Sequence, residues 1–371
     1  MTIRTYIEDV MYGRTRSLFI EGLLFPVSLL YGFALRIRNV LYAVRILTKE
    51  GLPCRVISVG NITLGGTGKT PTVIQLADFL FRNRRYPAVV SRGYGRKNEA
   101  DIVAVSDGKA PLLDTAIAGD EPSLIGSRLP GVPVVVGKDR YRAALFTLQV
   151  FGPNTIILDD GFQHVRLRRD LDIVLVDAED PFGNGRLFPS GILREPLKAL
   201  KRADLVLITR ADRAANLGWL KSVIRRKTQA RIFTSRHSPV DLVDIRNTEK
   251  RPFSTLRGTA VLAFSGIARP ASFTALLRSL GADIKHEMTY PDHYVYKKAD
   301  MAAIFQKAGD VKATMIITTE KDAVRLKTLD PEGIWALRIE LKVVETEEWE
   351  RMILGTMWTE PTVWTEPTVS A

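Results

Sequence analysis

A short apolar run, a glycine-rich turn and then helical spacing constrain this chain more than anything else in it. The run is Arg55 to Val59 (RVISV), the turn is GNITLGGTGKT from Gly60 to Thr70, and the helical stretch is Thr70 to Phe81. In that order they make a phosphate cradle, because the unpaired N–H groups at a helix N-terminus point outward and anion oxygens satisfy them. Lys69 adds a compact positive charge, and Thr70 offers a hydroxyl suited to Mg2+. Gly65, Gly66, Thr67, Gly68, Lys69 and Thr70 are the expected phosphate-binding residues. The usual pattern has glycine five positions before Gly68, where this chain has Thr63. A variant loop in partition and metallochaperone ATPases has a second lysine before the paired glycines, and Leu64 stands there instead.

Further short apolar runs follow at Pro87 to Val90, Val132 to Val136, Thr155 to Leu158, Asp172 to Val176 and Asp204 to Ile208. They do not alternate with polar residues, which is the pattern of strands buried on both faces, and helical stretches separate them. The expected fold is α/β, like that of the P-loop NTPases: a mostly parallel sheet with helices on both faces. A second, smaller α/β domain is expected from about 235 to 355, with strands at Ala260 to Phe264 and Thr314 to Thr318 and a helix at Ala271 to Leu280. The predicted division is 1–50 for a helical N-terminal segment, 51–234 for the phosphate-loop domain, 235–355 for the smaller domain and 356–371 for a tail. That tail repeats WTEPTV from Trp358 and from Trp364.

With 371 residues the chain has room for two cores, and its 46% hydrophobic and 25% charged residues exclude wholesale disorder. The single cysteine, Cys54, cannot form an internal disulfide and reads as a small buried residue. A formal charge of +12 selects anionic partners: a nucleic acid, a phosphorylated substrate or a lipid surface. No finger spacing or aromatic-rich sheet motif supports nucleic acid, so none is expected. From Gly22 to Leu35 run fourteen uncharged residues, bounded by Glu21, Arg36 and Arg38. That is short of the roughly 20 needed to cross a bilayer. An amphipathic helix is expected there, either lying in a membrane interface or packing on the enzyme.

The strand Thr155 to Leu158 runs into DDGFQH, Asp159 to His164. Paired carboxylates at the carboxyl end of a strand in a phosphate-loop protein are where a divalent cation is held. His164 has two open readings, a nucleotide contact and a polar plug. In GDEP (Gly119 to Pro122), Asp120 and Glu121 have the placement of a helix-capping pair. His293, beside Asp292 in YPDHY, has acid-base capacity. SRGYGR, GKDR and GILREP place arginines after strands or beside glycine turns, where phosphates bind in open α/β sheets. ITRAD (Ile208 to Asp212) is a weak match to the base-reading loop of GTPases.

Taken together and in order, GNITLGGTGKTP, SRGYGR, GDEP, DDGFQH, LREP and YPDHY resemble the tetraacyldisaccharide 4′-kinase family over about Gly22 to Leu326. The resemblance implies ATP-dependent phosphorylation of the 4′-hydroxyl of a tetraacyldisaccharide 1-phosphate at the cytoplasmic face of a bacterial inner membrane. It implies ATP and Mg2+ as cofactors, with no obligate protein partner evident. Carried onto this sequence, Lys69 and Thr70 would hold phosphates and metal. Asp159, Asp160 and Glu195 would complete the metal site beside Gln163 and His164, and Arg140 and Arg194 would steady phosphate charge. Asp120 would be the base, assisted by His293 from a different domain. A partition or metallochaperone-type ATPase switch is the alternative.

Overall fold

The protein is described by a computed structural model over residues 3–93, 102–110, 112–113 and 115–355. The duplicated tail and Tyr94–Arg96 of SRGYGR lie outside them. The strands are β1 (Arg55–Asn61), β2 (Pro87–Ser91), β3 (Val103–Asp107), β4 (Pro133–Val136), β5 (Thr155–Asp159), β6 (Leu171–Asp177) and β7 (Leu205–Thr209). They continue as β8 (Arg231–Asp244), β9 (Lys250–Pro252), β10 (Ala260–Ser265), β11 (Asp283–Thr289), β12 (Met315–Thr319) and β13 (Ile334–Val343). The chain forms two compact units. The first comprises 1–92, 137–236 and 342–371; the second comprises 93–136 and 237–341.

In the first unit β1 lies between β5 and β6, β2 pairs with β5, and β7 joins β6 to the start of β8; every pairing is parallel. All residues of β1, β2, β5, β6 and β7 are buried, which explains apolar runs without alternation. On one face Val174, Val176, Val206 and Ile208 form a core with Leu220 and Ile224 of the helix Leu217–Arg225. Gly60 is required by close approach: a Cβ there would lie 2.6 Å from the Phe162 Cβ and 2.8 Å from the Phe162 backbone N.

In the second unit β10 is flanked by β11 and β12, and β13 pairs with β12, all parallel. Successive residues of these strands alternate between two cores. Leu262, Phe264 and Ile316 face Met301 and Ile304, whereas Val261, Ala263 and Ile317 face Phe273 and Leu277. The sheet is therefore covered on both sides. The helices are Lys298–Asp310 on the first and Pro270–Ser279 on the second.

The units are not contiguous in sequence. Residues 93–136, expected within a 51–234 domain, belong with the second unit. His237, Ser238 and Pro239, where a boundary loop was expected, continue the fourteen-residue strand β8. The register of β8 with β7 covers Arg231–Thr234 and that with β9 covers Asp241–Val243, so Pro239 is paired with neither of these two strands.

The N-terminal helix also differs from expectation. It runs from Leu18 to Ala43, 26 residues or about 39 Å, and is long and apolar enough to cross a membrane by length and composition. Arginine is a good helix former, so Arg36 and Arg38 do not end it. Glu21, Ser28, Tyr31, Gly32, Leu35 and Arg38 share one helical face. Glu21 pairs with Arg186 at 2.8 Å, Ser28 and Tyr31 donate to the carbonyls of Leu187 and Arg194 at 2.8 Å, and Arg38 lies 3.8 Å from Glu195. A mostly polar stripe thus docks on the first unit. Phe19, Leu23, Leu29, Leu30, Phe33 and Val40 are all more than half exposed.

Candidate active site

In the first unit the polar residue that ends each of five strands lies at the carboxyl edge of the parallel sheet, the place where open α/β sheets bind ligands. These residues are Asn61, Ser91, Asp159, Asp177 and Thr209. Most of them brace the phosphate loop. Asn61 donates to the Thr67 hydroxyl at 3.0 Å, and the Thr209 hydroxyl donates to the Thr67 carbonyl at 2.9 Å. Asp177 holds Arg210, which also donates to the Gly66 carbonyl at 2.9 Å. Arg210 is thereby turned onto the loop as a brace, which is a different task from reading a base.

Gly68 caps the helix Lys69–Arg82 with φ +86°, and Gly65 has φ +93°; both conformations favour glycine. Thr63, where glycine is usual, forms an antiparallel bridge to Leu193. Leu64 N–H donates to Ile192 and Arg194 N–H to Ile62, so this part of the turn is extended backbone that needs no glycine. The same ladder brings GILREP to the loop. Thr70 is buried one residue beyond Lys69.

Lys69 Nζ lies 3.5 Å from Asp160, and Arg194 donates to both oxygens of that carboxylate at 3.0 and 2.8 Å. Burial alone would raise the Asp160 carboxyl, but the charges of Lys69 and Arg194 outweigh it and hold the group far below the ordinary carboxylate range. Asp159 is buried and accepts the Ser91 hydroxyl at 2.8 Å. Gln163 donates to the Asn61 carbonyl at 2.8 Å and to Glu195 at 3.3 Å. Glu195 is only 1% exposed and is held by Arg202 through two bonds at 2.8 and 2.9 Å. Arg140 is buried and donates to the Gly137 carbonyl at 2.9 Å. His164 is lowered to about 4, first by burial and then by the charge of Arg140, so its ring is neutral near pH 7.

Among the described residues no three carboxylate, histidine or cysteine side chains form a ready-made metal cluster. Thr70, Asp159 and Asp160 supply hard oxygen donors of the kind Mg2+ takes, usually through one or two carboxylates plus substrate phosphates. Glu195, the remaining carboxylate expected there, is bonded to Arg202 and Gln163.

The second unit carries its own polar cluster at the carboxyl edge of β10, β11 and β12. Asp120 is the first residue of the helix Asp120–Arg128, whose cap is Gly119, so it is not the capping side chain. Its Oδ2 accepts from His293 Nδ1 at 2.9 Å and from Arg325 Nε at 2.7 Å. Asp120 and His293 therefore meet inside one unit, and the expectation that they come from different domains is corrected. Burial opposes the charge on Asp120, yet the His293 bond and the Arg325 charge keep its pKa below the ordinary value. His293 is raised, chiefly by its bond to Asp120. His293 adopts φ +61° and Asp160 φ +54°, left-handed conformations that cost about 1–3 kcal/mol and concentrate at functional sites.

The sequence reading missed Arg325, together with Glu320, Lys321 and Asp322 before it. The available signal was TTEKDAVRL (Thr318 to Leu326), a charged helix start directly after an apolar strand.

A glycine loop at a helix N-terminus, a lysine paired with the carboxylate that directly follows a strand and converging arginines define a P-loop nucleotide-dependent phosphotransferase. The family described as tetraacyldisaccharide-1-P 4′-kinase matches residues 20–357. The tetraacyldisaccharide 4′-kinase of Pelobacter propionicus is 41% identical over 354 residues, covering 93% of this chain and 95% of that protein. That of Syntrophus aciditrophicus is 41% identical over 364 residues, covering 94% and 96%. The crystal structure of LpxK from Aquifex aeolicus in complex with ATP superposes with a TM-score of 0.76 at 34% identity, covering 91% of this chain and all (100%) of that one. This chain belongs to the tetraacyldisaccharide 4′-kinase family, whose members transfer phosphate from ATP to the 4′ position of a lipid A precursor.

Proposed function

We propose that the protein transfers the γ-phosphate of ATP to the 4′-hydroxyl of a tetraacyldisaccharide 1-phosphate, with the Asp120–His293 pair as the base. The carrying observation is the 2.9 Å bond between Asp120 and His293, in which the carboxylate stays ionised and the imidazole is nearly half exposed. The hydroxyl proton passes to this pair as the 4′-oxygen bonds to the γ-phosphorus, and the bond to the β–γ bridging oxygen breaks to release ADP. Lys69, the loop N–H groups and Arg194 take up the phosphate charge, with Arg140 and His164 lining the same edge. Mg2+, held by Thr70, Asp159 and Asp160, would neutralise charge on the β- and γ-phosphates. Glu195 acts indirectly, by fixing Gln163 and Arg202.

The N-terminal helix gives the enzyme a place on the inner membrane surface. Its polar stripe is docked from Glu21 to Arg38, so a spanning position would draw Arg186 and Glu195 into hydrocarbon, at high cost. A helix lying in the interface, on the cytoplasmic side where ATP is found, exposes the outer apolar face to lipid instead.

Incubation with γ-labelled ATP and a tetraacyldisaccharide 1-phosphate tests the assignment. Label is expected in the lipid, and it is lost in Asp120→Ala and His293→Ala. ATP hydrolysis that depends on a protein partner and leaves the lipid unlabelled defeats it.

A further inference from the structure

At the start of the helix Glu320–Leu326, residue after residue pairs with a different part of the second unit. Glu320 binds Arg128 at 2.5 Å and Lys321 binds Glu121 at 2.6 Å. Asp322 is fully buried and accepts the Gly266 N–H at 3.1 Å on both oxygens, the Tyr296 hydroxyl at 3.0 Å and the Thr319 hydroxyl at 2.7 Å. One turn on is Arg325, whose side chain is 5% exposed. It spends NH1 on Asp322 at 2.9 Å and on the Gly266 carbonyl at 2.7 Å, and Nε on Asp120 Oδ2 at 2.7 Å. Its NH2 lies 3.4 Å from His293 Nδ1.

We propose that Arg325 is a positioning residue for phosphoryl transfer: anchored by Asp322 and the Gly266 carbonyl, it clamps Asp120 by the oxygen that also receives His293. It does so without touching substrate. The inference rests on the Asp120–His293 pair being the base. A planar guanidinium fixed at one edge by two acceptors leaves little freedom at the other, so Asp120 is held in one orientation. Two donors on Oδ2 leave Oδ1 outside this pair of bonds. Bonding of Nδ1 to a carboxylate places the imidazole proton on Nδ1. A structural ion pair would be complete with Asp322 alone, and the bond to Asp120 is the part that serves chemistry.

Among the described residues, the charged and titratable groups around the pair include Arg325, Asp292, Asp322 and Tyr296, with the Lys321–Glu121 pair on the neighbouring turns. Asp292 lies 3.9 Å from His293 Nε2. Removing one positive charge from this set raises the pKa of both Asp120 and His293, because each then loses a cation that favours its deprotonated form.

The test compares Arg325→Gln and Arg325→Lys with the full-length enzyme in mixed micelles, measuring kcat, KM for each substrate and the pH dependence of kcat. For Arg325→Gln, kcat is expected to fall about tenfold to a hundredfold with ATP KM within about twofold, and the acid limb moves to higher pH. Arg325→Lys keeps the charge, so its acid limb stays near the wild-type position while kcat recovers only in part. Adding Arg325→Gln to Asp120→Asn costs no more than Asp120→Asn alone. A loss equal at every pH, or losses that add in the double variant, overturns the proposal. Wild-type turnover in Asp120→Asn defeats the base assignment itself; an inactive Asp120→Asn beside a fully active Arg325→Gln defeats the clamp alone.

Discussion

Each unit holds a carboxylate bonded to two basic side chains, yet the two arrangements differ in what stands behind those side chains. Asp160, in the first unit, is paired with Lys69 and Arg194. Asp120, in the second, is paired with His293 and Arg325. Both stay ionised against burial: the charges of Lys69 and Arg194 outweigh it at Asp160, and the His293 bond with the Arg325 charge does so at Asp120. The difference lies behind the cations. Lys69 and Arg194 extend from the phosphate loop and the strand bridged to it, and an incoming phosphate competes for them. Arg325 is anchored on its far side by Asp322 and a carbonyl, so no substrate competes for it. On the proposed mechanism, one carboxylate keeps charges in place until a ligand arrives, and the other is held in a single orientation for the base.

Variants in the two units are expected to separate kinetically. Asp120→Asn is expected to lower kcat about 10²–10⁴-fold, as for loss of a general base, with ATP affinity unchanged. Lys69→Ala is expected to lower kcat about 10²–10³-fold and also to weaken ATP, since the lysine serves ground state and transition state together. Steady-state kinetics with ATP and lipid varied independently checks both. Equal weakening of ATP in Asp120→Asn would erase the distinction between the units.

The first unit was largely legible in the sequence because its determinants are local. The strand expected at Thr155 to Leu158 is Thr155–Asp159, and the helix expected at Thr70 to Phe81 is Lys69–Arg82. A phosphate loop is a contiguous backbone device, so eleven consecutive residues announce it. The second unit gathers its cluster from Asp120, His293 and Arg325, separated by 173 and 205 residues from the first of them. No local pattern encodes such a meeting: His293 was marked by its own setting in YPDHY, but only the family resemblance made Asp120 a base and joined the two. Arg325 was missed because a buried arginine and a solvated one look alike on a short helix. The membership of 93–136 in the second unit was hidden for the same reason: it depends on packing between helices far apart in sequence.

The N-terminal helix offers a gentler contrast, between its docked and exposed stripes. Leu23→Glu with Leu30→Glu places charge on the exposed face and leaves Ser28 and Tyr31 bonded to the first unit. Each lost leucine contact is worth up to about 1.5–3 kcal/mol when fully buried in lipid, so binding to vesicles is expected to fall about tenfold or more. Cosedimentation with liposomes at high salt measures it, and activity on a detergent-dispersed acceptor should hardly change. Undiminished liposome binding would assign the exposed stripe to something other than lipid.

The smallest expected effect contrasts two histidines that are shifted in opposite directions. His293 is raised by its bond to Asp120, so its contribution to stability is present below its unfolded pKa and is lost as pH rises through the folded one. His164 is lowered to about 4, so between that value and about 6.5 the unfolded chain binds the extra proton and stability falls as the solution is acidified. Asp160, whose pKa is held far lower, adds to the loss only at the acid end of this window, where the unfolded carboxyl begins to take up protons. Thermal melts of the wild-type enzyme should therefore drop between pH 6.5 and 4, and His164→Gln should flatten that drop. His293→Gln should leave the low-pH slope in place and change the slope above neutrality. Parallel pH profiles for all three proteins would mean that neither histidine senses the cluster around it, and the electrostatic contrast between the two units would fail.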